Sequence, residues 1–369
     1  MSRVVDLLAD LVRADTVARD EARLARSLAE RLSGLSLAWA DFEPGREQLV
    51  ARSGGETPLT FTGHLDTVPA TPSDWSVDPW AAEVDGDRMV GRGTSDMKSG
   101  VAALVEAVAA HVADDHDCRG VQVVLTSAEE TGCDGARRIP TSLLAHGGPL
   151  VVAEPTANRL VPAHKGAHWM RLTAHGRAAH GSAPELGDNA AVRLARAAVA
   201  LHDFEDWPTQ DGFGSVTANV GVLRGGVQPN VVPDSAEMLL DVRTLPTASG
   251  DAVRDLVRTL AGEGVEVADH VVLPPVDTDT SDAFVGLVGE ALSATGLDGS
   301  PGEPARYFTD ASALVPLLTP SAAPLAPTVV LGPGEPDQCH VADEWCSVGK
   351  VDQAVEVYGE LLRRWCAQP

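Results

Sequence analysis

Short apolar runs alternate with Ala-rich segments along much of this chain, and this alternation narrows the folds open to it. The runs lie at residues 59–62, 121–126, 150–153 and 328–331; the first stops at Gly63 and the last at Gly332. Residues 99–112 have the Ala content and the apolar spacing of a helix. Strands that alternate with helices are typical of βαβ units, so we predict an α/β fold with a parallel-rich, doubly covered sheet.

The pattern changes between Ala167 and Asp277. A strand at 169–173 and a helix at 189–202 are followed by strands at 215–222 and 236–242, a helix at 250–262 and a strand at 265–271. This β-α-β-β-α-β order is typical of a ferredoxin-like α+β sandwich. We therefore expect residues 167–277 to form an inserted domain, which leaves the first domain discontinuous over residues 1–166 and 278–369.

The charge balance excludes several classes of partner. The 369 residues, a length that suits two domains, contain 53 acidic and 28 basic residues, for a formal charge of −25. Such a surface repels phosphate backbones and anionic lipids, so we expect neither nucleic acid nor a membrane as a partner.

The N-terminal segment and the cysteines suggest a location. The chain has no apolar run of bilayer length and no signal-peptide pattern. The number of cysteines is odd and none form a Cys-x-x-Cys pair, which favours reduced thiols and a cytoplasmic protein. The cysteines are Cys118, Cys133, Cys339, Cys346 and Cys366.

Imidazole and carboxylate side chains collect where strand-like runs give way to loops. Ligands bind beyond the carboxyl ends of the strands in open α/β sheets, so residues far apart in sequence are expected to converge on one rim. The residues at these positions are His64, Asp66, Asp96, Glu129, Glu130, Glu154 and His340.

Two imidazoles and three carboxylates, one of them shared, suit a pair of hydrolytic metal ions. These donors favour Zn²⁺, with Co²⁺ or Mn²⁺ as substitutes. Two such ions can lower the pKa of a water and polarise a carbonyl group. The adjacent side chains of Glu129 and Glu130 diverge, so one can bind metal while the other acts as general base. Asp66 has the spacing to fix the tautomer of His64.

Other catalytic motifs are absent from the sequence. The Gly-rich stretch that ends at Lys98 and Ser99 has Met97 where a phosphate-binding loop has Gly. No Gly-x-Ser-x-Gly nucleophile elbow occurs, and no two cysteines have zinc-ligand spacing.

Five motifs in order resemble those of the M20 family of metallo-amidohydrolases, in the branch of acetylornithine deacetylase and succinyl-diaminopimelate desuccinylase. The motifs are GHLDTVP, GRGTSDMKSG, SAEETG, AEPT and GPGEPDQCH. The resemblance implies two zinc ions per chain that share Asp96. His64 and Glu154 complete one ligand set, and Glu130 and His340 complete the other.

The resemblance also implies roles beside the metals. Glu129 becomes the general base and Asp66 the partner of His64. The peptide bond between Asp96 and Met97 is expected to be cis, as is typical in this family.

The inserted domain resembles the lid and dimerisation domain of the same family. His180, in GRAAHGSAP, matches a histidine that reaches the active site of a neighbouring subunit and donates to the oxyanion. Asn230, Arg243 and Thr309 match positions that approach the substrate, and Arg243 is suited to clamp an α-carboxylate. The resemblance therefore implies a homodimer formed through the lid domain.

The substrate expected from the resemblance is a small N-acyl amino acid, but two acyl groups stay open. Residues 164–167 read His-Lys-Gly-Ala, whereas the desuccinylases have a basic pair followed by Gly and Ser. The segment around His340 is closer to the acetylornithine deacetylases. A role in amino-acid biosynthesis is expected. A dipeptidase or carboxypeptidase is the alternative enzyme, and a catalytically silent metal-binding scaffold is disfavoured because Glu129 accompanies every ligand.

Overall fold

The computed structural model describes residues 2–113 and 120–368. The α-helices in these ranges are α1 (Arg3–Val12), α2 (Glu21–Arg31), α3 (Ser99–Ala113), α4 (Ala190–His202), α5 (Asp251–Ala261), α6 (Ala283–Ala294), α7 (Ala311–Leu318) and α8 (Val348–Cys366).

The strands longer than two residues in the same ranges are β1 (Ser36–Glu43), β2 (Arg46–Arg52), β3 (Leu59–His64), β4 (Glu83–Asp85), β5 (Arg88–Val90), β6 (Val121–Thr126), β7 (Leu150–Val152), β8 (Gly166–His175), β9 (Thr217–Gly225), β10 (Ser235–Thr244), β11 (Val265–Leu273), β12 (Thr328–Val330) and β13 (Trp345–Ser347).

The chain divides into two compact units. The first contains Met1–Ala163, Asp277–Glu303 and Thr309–Pro369, and the second contains His164–Val276 and Pro304–Phe308. The short segment Pro304–Phe308 groups with the second unit, although the sequence gives no sign of this.

A six-stranded sheet, in the order β1-β2-β6-β3-β7-β12, forms the centre of the first unit. The four strands from β6 to β12 are parallel, as predicted from their apolar runs. The strands β1 and β2 pair antiparallel at the other edge and were not predicted. Strand β1 is mostly exposed. Its sequence therefore lacks the clear alternation of apolar and polar residues that would indicate a strand.

The core of the first unit lies between this sheet and its helices. Helix α3 packs against α8, and the buried rings of Phe61 and Tyr358 meet edge to face with centroids 5.3 Å apart. A Cβ atom on Gly100 would lie 1.9 Å from the carbonyl oxygen of Ala153. Only glycine therefore lets the start of α3 approach the end of β7 so closely.

The second unit has the predicted ferredoxin-like topology. Its four strands pair antiparallel in the order β9-β10-β8-β11, and α4 and α5 connect them in the β-α-β-β-α-β sequence.

The cysteines only partly follow the expectation of reduced thiols. Cys133, Cys339 and Cys346 are free. Cys366 is disulfide-bonded, so the expectation is wrong for that residue. Cys118 lies outside the described residues. Among the helices that the structure describes, none has the length and apolar character needed to span a bilayer.

Candidate metal centre

The topology of the first unit brings the residues that follow its parallel strands to one edge. His64 is the last residue of β3, Glu129 and Glu130 follow β6, and Glu154 follows β7. Because β6, β3 and β7 are parallel neighbours, their carboxyl ends meet at the same edge. His340 lies in the loop after β12, the next parallel strand.

Asp96 lies between two imidazole rings. Its Oδ1 is 3.1 Å from Nε2 of His64, and its Oδ2 is 3.2 Å from Nε2 of His340. Both histidines lower the pKa of Asp96, and their effect outweighs the opposing effect of burial. The peptide between Asp96 and Met97 is cis, as the family resemblance implied.

Two more carboxylates complete these contacts. Oε2 of Glu130 is 3.1 Å from Nε2 of His340, and Oε1 of Glu154 is 3.7 Å from Nε2 of His64. Donor atoms of His64, Asp96 and Glu130 lie within 4.8 Å of one another, and the same holds for His64, Glu129 and Glu154. The structure thus brings all the sequence-predicted metal ligands into one cluster, with Glu129 beside it.

Without a cation, it costs free energy to keep the buried acidic groups of this cluster ionised. Burial raises the pKa of Glu129, Glu130 and Glu154, and repulsion from neighbouring carboxylates, including Asp96, raises it further. Burial alone would lower the pKa of His64, but Glu154, Asp96 and Asp66 raise it well above its usual value. Buried carboxylates that repel one another around imidazole nitrogens are a donor set that fits divalent metal ions.

Asp66 connects the metal cluster to the turn that carries the two glutamates. Its buried carboxylate accepts the backbone N–H groups of Glu129 at 3.2 Å and Glu130 at 3.1 Å. Ala128, just before them, has a left-handed conformation with φ 63°. Nδ1 of His64 lies 3.0 Å from the carbonyl oxygen of Asp66 and 3.7 Å from its carboxylate. A proton on Nδ1, donated to that carbonyl, leaves Nε2 free to bind metal.

Glu344 is a buried carboxylate that the sequence did not single out. It accepts the backbone N–H groups of Gly93 (2.9 Å), Ser95 (2.8 Å) and Asp96 (3.0 Å), and it pairs with Arg92 at 2.7 Å. Burial raises its pKa to about 7 despite these donors. Glu344 therefore holds the loop that presents Asp96. An Asp-Glu pair in a loop is common on protein surfaces, so the sequence offered no signal.

Asp310 is a second carboxylate that the sequence analysis missed. It is buried and accepts a hydrogen bond from the hydroxyl of Thr126, whereas its Oδ1 has no partner among the described residues. Burial raises its pKa to about 6. Its neighbour Thr309, predicted to contact substrate, is also buried, and its carbonyl accepts from the thiol of Cys133 at 3.6 Å.

In the second unit, His180 and Asn230 lie together. His180 forms an isolated bridge with Val231, and the N–H of Gly181 donates to the carbonyl of Asn230 at 2.8 Å. The N–H of Ser182 donates to Nδ1 of His180 at 3.2 Å. Because Nδ1 accepts this hydrogen bond, the proton of the neutral ring lies on Nε2. The side chain is exposed, so Nε2 can donate that proton to another group.

Arg243 lies at the opposite end of the same sheet. It sits near the end of β10, opposite Ala167, whereas Ser235, at the start of β10, pairs with His175. His180 and Asn230 flank that start. Eight residues of strand separate the two ends, or about 26 Å at ~3.3 Å per residue. Within one chain, His180 and Arg243 are therefore not brought together.

Comparisons with known proteins relate the chain to one family of hydrolases. The sequence profile described as peptidase family M20/M25/M40 matches residues 60–364. An acetylornithine deacetylase of Vibrio atlanticus is 31% identical over 350 residues, which cover 90% of this chain and 88% of that protein.

Solved structures show the same fold. An M20 family metallo-carboxypeptidase of Sulfolobus solfataricus has a TM-score of 0.78 against this chain, with 18% sequence identity and full coverage of both chains. The YXEP protein of Bacillus subtilis, described as a dinuclear metal binding peptidase, has a TM-score of 0.69 and 16% identity, and covers 98% of this chain and 96% of its own.

Proposed function

Because the chain belongs to peptidase family M20/M25/M40 and is a metal-dependent hydrolase, we propose that it cleaves the amide of an N-acyl amino acid. The products are a free amine and a carboxylate. An N-acetylornithine-type or an N-succinyl-diaminopimelate-type substrate fits this reaction. The observation that carries the proposal is the placement of Asp96 between His64 and His340, beside a separate buried glutamate, Glu129.

Two zinc ions are the cofactor that best fits these donors. His64 and Glu154 would hold one ion, Glu130 and His340 the other, and Asp96 would bridge both. When bound, a zinc pair acts as a Lewis acid that polarises the amide carbonyl and lowers the pKa of a water.

Glu129 would move the proton. Its carboxylate is buried, and burial raises its pKa well above the usual value. A carboxylate of raised pKa can take a proton from the attacking water and then deliver it to the leaving amine. Asp66 would hold Glu129 in place through the backbone N–H of that residue.

His180 would donate from Nε2 to the developing oxyanion, and Asn230 would assist it. Because His180 and Asn230 lie at the end of the sheet opposite Arg243, they suit the substrate of a neighbouring subunit better than their own. This separation supports a homodimer formed through the second unit. Arg243 would bind the α-carboxylate, and Thr309 would contact the substrate beside the metals.

Turnover of a substrate panel by the zinc-loaded protein tests the proposal. N-acetylornithine, N-succinyl-diaminopimelate, other acylated amino acids and dipeptides are compared by amine release. Hydrolysis of acylated amino acids in preference to dipeptides is the expected result. A preference for dipeptides would instead favour the carboxypeptidase or dipeptidase alternative, which the Sulfolobus neighbour represents.

The Glu129→Gln variant tests the proton-transfer role. We expect it to keep two zinc ions per chain and to lose at least about 100-fold in kcat, the range of general acid–base catalysis. Glu263→Gln changes an exposed carboxylate of the second unit and is the matched control. Near-normal turnover by Glu129→Gln would remove it from this role.

Mixed dimers test whether His180 acts across the interface. Subunits with His180→Ala and subunits with Glu129→Gln are each expected to be inactive, but their hybrid contains one intact site if His180 serves the partner. Hybrids with no recovered activity would contradict this arrangement. The cytoplasmic location stays a prediction that cell fractionation can check.

A further inference from the structure

The carboxylate of Asp310 stands at the start of α7 but takes no part in capping that helix. The hydroxyl of Thr309 accepts the N–H of Ala311 at 3.1 Å and so fills the capping role. The side chain of Asp310 makes no hydrogen bond to the first turn. At the start of α6, by contrast, the carboxylate of Asp282 accepts the N–H of Phe284 at 2.7 Å. The buried charge of Asp310 therefore serves contacts outside its own helix.

Those contacts reach both ends of the turn that carries Glu129. The hydroxyl of Thr126, the last residue of β6, donates to the carboxylate of Asp310. The thiol of Cys133, a weaker donor, also hydrogen-bonds to it. All three side chains are buried. Asp310 thus connects a residue three positions before Glu129 with a residue four positions after it.

Cys133 lies in contact with the side chain of Glu129. The N–H groups of Gly132 and Cys133 donate to the carbonyl of Glu129 at 2.8 and 2.9 Å, and Cys133 has a left-handed conformation with φ 56°. This turn brings Sγ of Cys133 to 3.9 Å from Oε1 of Glu129 and 3.6 Å from the carbonyl oxygen of Thr309. Burial raises the pKa of the thiol well above its usual value, so the thiol keeps the proton that it donates.

The main chain of the same turn is held separately. Asp66 accepts the N–H groups of Glu129 and Glu130, and the side-chain oxygen of Gln48 accepts the N–H of Ser127 at 2.7 Å. These bonds fix where the backbone runs, but they do not fix the direction of the Glu129 carboxylate. The contact with the Cys133 thiol acts on the carboxylate itself.

We propose that Asp310 is a positioning residue, which acts through Cys133 to hold the carboxylate of Glu129 in the orientation needed for proton transfer. This inference rests on the proposed amide hydrolysis, and all of its residues belong to the first unit. A displacement of ~1 Å at a reacting group can lower turnover by about 100-fold. Loss of the Asp310 contacts should therefore lower kcat and leave KM and zinc affinity nearly unchanged.

The Asp310→Asn variant of the zinc-loaded protein tests the effect on turnover. The amide has the size of the carboxylate but offers two donors one neutral acceptor, which is a weaker partner than a charged oxygen. On the amide that the wild type hydrolyses best, we expect kcat to fall at least about tenfold in Asp310→Asn and in Cys133→Ala, with KM and zinc affinity within about threefold. Cys133→Ser, which keeps a donor, should retain more of the wild-type kcat than Cys133→Ala.

Asp282→Asn is the matched control, because Asp282 stands at the start of a helix of the same unit and does cap it. We expect this control to lose stability and to keep its kcat. A role of Asp310 in stability alone would give the same result in both variants.

The S–H stretching band of Cys133 in the infrared tests the contacts without turnover. The band is identified by its loss in Cys133→Ala, and its position reports the hydrogen bond that the thiol donates. We expect it to shift in Asp310→Asn and in Glu129→Gln, since each changes an acceptor of the thiol, and to stay in place in Asp282→Asn.

A Cys133 band that either Asp310→Asn or Glu129→Gln leaves unchanged would overturn the inference, and so would a kcat of Asp310→Asn equal to that of Asp282→Asn. Hydrolysis of N-acyl amino acids with either of these results would leave the proposed function standing and remove the positioning role. Band shifts in both variants, in a protein that hydrolyses no N-acyl amino acid, would leave the hold on Glu129 standing and remove the proposed function.

Discussion

Replacement of Asp66 by Asn tests how far a residue behind the metal ligands controls them. The carboxylate is 2% exposed and accepts two backbone N–H groups, from Glu129 at 3.2 Å and from Glu130 at 3.1 Å. Asn has the same shape but offers only one acceptor oxygen. One of the two N–H groups would therefore face an amide NH₂ and lose its partner.

The cost follows from these contacts. A buried donor left without a partner costs ~1–3 kcal/mol, which we expect as the loss in the free energy of unfolding. Loss of a residue that orients a metal ligand typically weakens metal binding by about 10- to 100-fold, which corresponds to ~1.4–2.7 kcal/mol. Both effects should appear in the same variant, because Asp66 holds Glu130 and also lies beside His64.

Zinc affinity is measured by competition with a chromophoric chelator, and stability by urea unfolding. Asp87→Asn is the control for the change of side chain, since Asp87 is exposed but also accepts two hydrogen bonds, from the N–H of Gly349 at 2.7 Å and the hydroxyl of Ser347 at 2.7 Å. Because Asp87 is exposed, that control should lose less stability than Asp66→Asn, and it should keep its zinc affinity. A zinc affinity of Asp66→Asn within about twofold of the wild type would refute the argument, because the expected loss is at least tenfold.

Three further predictions concern stability. Glu344→Ala leaves Arg92 buried without its partner and should lower the free energy of unfolding by ~3–5 kcal/mol; a loss below ~1 kcal/mol in urea unfolding would contradict its anchoring role. Burial lowers the pKa of His164 from 6.5 to about 4. The unfolded chain therefore takes up a proton first as the pH falls, so stability should drop by up to ~3 kcal/mol from pH 7 to pH 4. His164→Leu should flatten that decline, and an unchanged pH dependence would exclude His164 as its source. Removal of zinc by a chelator should lower the free energy of unfolding by ~2.7 kcal/mol for each zinc site when free zinc had been about 100 times its Kd, and an unchanged urea midpoint would argue against a structural contribution of the metals.

The sequence predicted the elements that are buried on both faces or strongly periodic. The runs that became β3, β6, β7 and β12 are rich in apolar and β-branched residues and are buried along their whole length, and such runs stand out without any tertiary information. The order of elements in the second unit was predicted for a similar reason, since its strands and helices are long and regular.

The edge strand β1 and its neighbour β2 could not be predicted in this way. Strand β1 is mostly exposed, and β2 is mostly buried but mixes charged with apolar residues. Their place in the sheet is therefore decided by pairing, of β1 with β2 and of β2 with β6. The same limit applies to the segment Pro304–Phe308, whose place beside β8 depends on contacts with residues more than a hundred positions away.

For the candidate site, the sequence motifs could indicate which residues converge on the metal cluster. They could not indicate which other residues fix those ligands in position. His64, Asp96 and His340 lie in recognisable segments. Glu344 and Asp310 act through burial and through hydrogen bonds to distant backbone, and neither property is visible in a single sequence.

The hold of Glu344 on the Asp96 loop has a consequence for how the protein is made. The two residues are separated by 248 positions, and chains fold from the N-terminus during synthesis. The loop that presents Asp96 therefore waits for the carboxylate that fixes it while the 248 following residues are synthesised. His340 is made only a few residues before Glu344. The nascent protein can form much of its central sheet earlier, but its metal centre can be assembled only after residues 340–344 have left the ribosome.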